Sequence, residues 1–102
     1  MSSKRIELQT LLEETLGSRN VYFQPPATIS MKYPAIVYSL TDMDTVHANN
    51  NAYLVEHAYL VIAIDKNPDS ELPDKLASLP KSRFNRSYTS DNLYHFAFKI
   101  YY

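Results

Sequence analysis

The chain has 102 residues, of which 45% are apolar and 21% charged, with a formal net charge of −1 and no cysteine. That length predicts a single domain, 1–102, and a core of modest size. A near-neutral balance excludes bulk attraction to nucleic acid, and the lack of cysteine excludes disulfides and thiolate metal sites.

The chain opens Met1-Ser2-Ser3-Lys4-Arg5-Ile6-Glu7, without the apolar stretch of a signal peptide. Leu8, Leu11, Leu12 and Leu16 recur at helical spacing and predict a helix over 3–16 with one buried stripe. Ser2 or Ser3 can cap its start, and Gly17, the only glycine, stands where the helix should stop. Val21-Tyr22-Phe23 predicts a short strand, broken by Pro25-Pro26.

Pro34 confines the next strand to begin at about Ala35, and Ala35–Leu40 is β-prone. Asp42–Asn51 is expected to connect a hairpin, and Tyr53–Ile64 to return as a long strand. The second half of that strand is apolar on both faces, as a central strand requires. Its longest apolar run, Ala58–Ile64, is too short to span a bilayer, so no membrane role is expected. Strands this long outrun a small core, so the hairpin around 36–62 is expected to project as an arm.

A second helix is expected from Asn67 or, with Ser70 as cap, from Leu72; Leu72, Leu76 and Leu79 form its buried stripe and Pro80 ends it. Arg83–Tyr88 reads as a short strand, Ser90-Asp91-Asn92 as a turn, and Leu93–Tyr102 as the last strand. The fold class is therefore α+β: a mainly antiparallel sheet of four or five strands, two helices on one face, and a long projecting β-hairpin.

Catalytic patterns fail one by one. A single glycine excludes phosphate-cradling loops and dinucleotide-binding turns, and no serine has the glycine neighbours of a nucleophile elbow. His47, His57 and His95 lack metal-ligand spacing, although His57 and His95 could approach across the sheet. Asp65, Asn67 and Asp69 mimic the start of a calcium loop, but Ser70 and Leu76 stand where glycine and glutamate are needed. Asp42 and Asp44 read as a solvated edge rather than an acid–base pair. No enzyme activity and no cofactor are expected.

Binding features remain. Nine tyrosines are many for this length, and tyrosine is enriched at protein interfaces. Tyr38 and Tyr94 are expected in the core. Tyr22, Tyr53, Tyr101 and Tyr102 are candidates for a subunit interface, with Asp42, Asp44 and His47 of the hairpin. Arg83 and Arg86, grouped with Lys81 and interleaved with Phe84 and Tyr88, suggest a charged outer strand or ion pairs with an acidic neighbour. The same cluster could stack on nucleic acid. From Tyr33 to Asp65 there is no Lys or Arg, while Asp42, Asp44, Glu56 and Asp65 fall in that stretch.

Four segments resemble the tail terminators of siphophages and prophages, also called tail completion or head–tail joining proteins. They are Ser18–Pro26 (SRNVYFQPP), Met31–Tyr38 (MKYPAIVY), Ile64–Ser70 (IDKNPDS) and Tyr88–Leu93 (YTSDNL). The resemblance runs over nearly the whole chain. It implies a structural virion protein of the tail neck, assembled in the host cytoplasm as a hexameric ring. The ring caps the tail tube and meets the head connector, and DNA passes through it unread. The stretch without Lys or Arg would suit its lumen. A head-closure or minor capsid protein of the same neck, or a small nucleic-acid-binding module, are the alternatives.

Overall fold

The computed structural model describes the backbone of residues 3–25, 31–48 and 52–102, and the side chains of 5–25, 31–41 and 57–102. Helix α1 (Ser3–Leu16) is followed by strands β1 (Val21–Phe23), β2 (Ala35–Ala48) and β3 (Ala52–Asp65), helix α2 (Leu72–Ala77), and strands β4 (Ser82–Ser90) and β5 (Leu93–Tyr101). The strands form one sheet in the order β1-β2-β3-β5-β4.

Helix α1 buries its leucine stripe as expected. Leu8 and Leu12 are fully buried, and Leu11 and Leu16 pack partly against the same cluster. Gly17 takes φ +83° and donates its N–H to Glu13 O at 2.8 Å, a left-handed stop open to glycine. Ser3 lies inside the helix, and Ser2 lies outside the described residues.

The sheet is mixed. Strand β1 runs parallel to β2, with Val21 opposite Ile36 and Phe23 opposite Tyr38; the other three pairings are antiparallel. The parallel β1–β2 pair departs from the mainly antiparallel sheet expected of short connections. A second correction concerns the hairpin. Asp42–Ala48 is not a connection but the second half of β2, paired with β3 from Asp42↔Ala58 to Ala48↔Ala52.

Strand β3 is central, with β2 on one side and β5 on the other. Tyr59, Val61 and Ala63 are buried on its helix side, and Ala58 and Ile64 on the other. Both helices pack on one face, where Leu8, Leu12, Leu72 and Leu76 meet Ile36, Tyr38, Tyr59, Val61, Phe98 and Ile100. Tyr94 is half-buried and outside this cluster, because it pairs with Asp65 near the end of the ladder.

A small polar network ties α1 to the sheet. The Tyr38 hydroxyl donates to Gln9 Oε1 at 2.5 Å and accepts from the Arg5 guanidinium at 3.2 Å. Gln9 Nε2 donates to Val21 O at 3.1 Å. Arg5 also lies over the Phe23 ring, 4.6 Å from its centre.

Helix α2 starts at Leu72, so Asn67 is not its cap. Asp65, Asn67 and Ser70 instead accept backbone N–H bonds from Asn67, Asp69 and Leu72 at 3.1, 2.9 and 3.2 Å. That chain of short polar turns explains the calcium-like spacing. Strand β4 is longer than expected, reaching from Ser82 to Ser90. Asp91 and Asn92, at φ +52° and +63°, close the β4–β5 hairpin as a two-residue turn.

Candidate subunit interface

Side chains of directly opposed strand residues share a face. The register therefore sorts the sheet into a helix-covered face and an open one. Three rows cross the open face. One runs Tyr22, Val37, Ile62, Ala97, Arg86; the next Ser39, Leu60, Lys99, Arg83; the third Ala35, Ile64, His95, Tyr88. The middle of this face is apolar and half-buried at Val37, Leu60 and Ile62, and its β4 margin is basic and aromatic.

A register shift between Phe84 and Arg86 shapes that margin. In a regular strand, residues three apart point to opposite faces. Here Arg83 opposes Lys99, Phe84 opposes Phe98, and Arg86 opposes Ala97, with Asn85 as the extra residue. The bulge thereby sets both arginines on the open face. It also keeps Phe84 on the helix side, where its ring meets Phe98 edge-on at 5.4 Å while remaining 57% exposed.

Two of the cations lie against rings. The Arg86 guanidinium lies 5.1 Å from the Tyr88 centroid, and Tyr88 stacks on His95 at 4.7 Å with 13° between planes. Lys99 Nζ lies 5.3 Å from the Tyr101 ring. Such contacts hold long side chains in place at little cost in solvation.

The candidate residues separate into three groups. Arg83 and Arg86 come together on the open face. Tyr22 and Tyr101 are half-buried on the same face, Tyr22 at β1 and Tyr101 opposite Ala58. Tyr102 packs partly against the core and donates its N–H to His57 O at 3.0 Å, so it serves the fold. The side chains of Asp42, Asp44, His47 and Tyr53 lie outside the described residues; their backbones place Asp44 opposite Glu56 and His47 opposite Tyr53. Lys99 was missed by sequence reasoning, since a lone lysine among aromatics carries no local signal.

His57 and His95 do not approach one another. His95 opposes Ile64 on the open face, whereas His57 lies beyond Ala58, at the far end of the β3–β5 pairing. Among the described residues, no three His, Asp or Glu side chains cluster closely enough to hold a metal ion. A cleft of about 480 Å³ opens between Glu7, Leu11, Pro80, Lys81, Tyr101 and Tyr102, and most of its lining is apolar. Among the described residues, no helix is long and apolar enough to cross a membrane. No protein-family model matches the chain, and no curated protein matches it.

Proposed function

We propose that this chain is a structural subunit of a phage tail neck: a tail terminator that closes the head-proximal end of the tail tube as a ring and meets the head connector. The observation that carries this reading is one chain with two unlike surfaces. Strand β4 forms an outer edge exposed along nearly its whole length. At the opposite side, β2 and β3 run on together past the last β5 partner, without a single Lys or Arg from Tyr33 to Asp65. A ring is built by such heterologous contacts, in which two different patches meet around a closed rotation.

In this reading the β2–β3 hairpin is the assembly arm, and a stretch without Lys or Arg suits a wall that DNA slides past. The hexameric count, the tube and connector partners and the virion location rest on the sequence resemblance. The chain acts by binding, without catalysis and without a cofactor.

Deletion of the gene from its phage or prophage is the test. The expected result is tails of uncontrolled length that fail to join heads, with electron microscopy of wild-type tails showing a ring of this chain at the upper end of the tube. Tails of normal length after deletion would overturn the reading. Normal tails on heads that leak DNA would favour a head-closure role.

The stacked Arg86–Tyr88–His95 group favours the second reading, a nucleic-acid-binding module, because aromatic rings beside a guanidinium are a platform for bases. A gel shift separates the two: steeply salt-dependent DNA binding supports the module.

A further inference from the structure

We propose that the basic margin of the open face, Arg83, Arg86 and Lys99, is the seat for the acidic β2–β3 hairpin of a second copy. This rests on the reading above only in taking the chain to be a self-assembling subunit.

The seat is assembled by the fold rather than by adjacency in sequence. Lys99 comes from β5 and opposes Arg83, and the shift at Asn85 adds Arg86 to the same face. Like charges directly opposed across a ladder repel. Arg83 and Arg86 are exposed, and among the described residues neither has a carboxylate partner. The sequence from Leu76 to Ser90 contains no Asp or Glu that could relieve them.

The occupant is defined by charge and register. A second shift, between Leu40 and Asp42, places Asp42 opposite Ala58 and Asp44 opposite Glu56. Ala58 belongs to the open-face series with Leu60 and Ile62, so Asp42, Asp44 and Glu56 share that face of the hairpin. Without the shift, Asp42 and Asp44 would fall on the helix side. Two bulges thus set the backbone positions of three acidic and three basic residues on one face of one sheet, at separate places.

Arg83 and Glu56 hold distant register positions within one copy. Arg83 lies level with Leu60, so Glu56 is four residues further along β3 and two strands away, about 15 Å in all. The carboxylates of one copy and the cations of the next can meet. Because donor and acceptor patches differ, the contact repeats head to tail and can close a ring. A hairpin has two faces, so one can engage the neighbour while the other lines a bore.

The test uses charge reversal with exchange. One variant carries Arg83→Glu, Arg86→Glu and Lys99→Glu; the other carries Asp42→Lys, Asp44→Lys and Glu56→Lys. Self-association is followed by light scattering and sedimentation, with circular dichroism confirming that both variants fold. Each variant alone should associate at least about tenfold more weakly than wild type. An equimolar mixture should restore association, because every reversed hairpin then finds a reversed seat. Wild-type association should also weaken between about 50 and 500 mM salt.

Variants that assemble like wild type, or a mixture that fails to recover, overturn the contact. So does a wild-type chain that stays monomeric at millimolar concentration in low salt. Loss of DNA binding in the arginine variant with unchanged self-association assigns the seat to nucleic acid instead. Binding of each variant to purified tail tubes is scored separately: tube capping with no hairpin–seat contact sinks this inference and spares the terminator reading, and the reverse result does the opposite.

Discussion

Tyr38 joins the two layers of the fold through one oxygen. It is buried, donates to Gln9 and accepts from Arg5. Tyr38→Phe keeps the ring and deletes both bonds, which should cost about 1 kcal/mol and lower the melting temperature by about 4–8 °C. Burial raises the phenol pKa above its ordinary 10.0, against the opposing pull of Arg5. The native state therefore holds this proton after the unfolded chain has released it. Its contribution is full below pH 10 and is lost as pH rises through the folded value. Urea unfolding should show the gap between wild type and Tyr38→Phe narrowing at strongly alkaline pH; a constant gap would mean that the phenol is not held neutral by the fold. Gly17 is a simpler case. A Cβ there meets nothing within 4 Å, yet φ is +83°. Gly17→Ala should cost about 1 kcal/mol, from backbone strain alone, and calorimetry would register it.

Periodicity reads elements well when nothing interrupts the count. The leucines of α1, the two-sided apolar half of β3 and the Asp91-Asn92 turn were all legible, because each follows a fixed local repeat. The outer position of β4 was legible from its charges. Its bulge was not, since an extra residue leaves no mark in an alternating pattern. Parallel β1 was equally hidden: three residues pair with a strand across a crossover, and local sequence does not encode direction. The bulge makes a specific prediction. Arg86–Ser90 is anchored by the turn, and exposed Asn85 is the residue in excess. Deleting Asn85 should convert the shift into a regular ladder with Arg83 still opposite Lys99 and Phe84 still opposite Phe98. We expect a stability change within about 1 kcal/mol, as for surface changes that leave packing intact, and nuclear Overhauser contacts between Phe84 and Phe98 should persist. Loss of those contacts would show that Asn85 sets the register itself.

Across the whole chain, the sequence announced an absence of Lys and Arg in one stretch and a basic cluster in another, but not that both would face the same way. Counting from Arg83 to Arg86, or from Leu40 to Asp42, assigns the charges to the wrong face unless the two bulges are known. Once they share a face, a trade-off follows. Glu56 opposes Asp44, and such a like-charge pair destabilises a ladder by roughly 0.2–1 kcal/mol. In an isolated chain, Glu56→Gln should therefore stabilise the fold by about 0.5 kcal/mol. In an assembly whose seat is cationic, the same change removes one attraction and should weaken association. Urea unfolding of dilute monomer and sedimentation of concentrated protein give the two numbers on one sample. Opposite signs are what a surface charged for a neighbour must show. Equal signs would mean that Glu56 serves the hairpin alone, and the carboxylates of the arm would then need no partner.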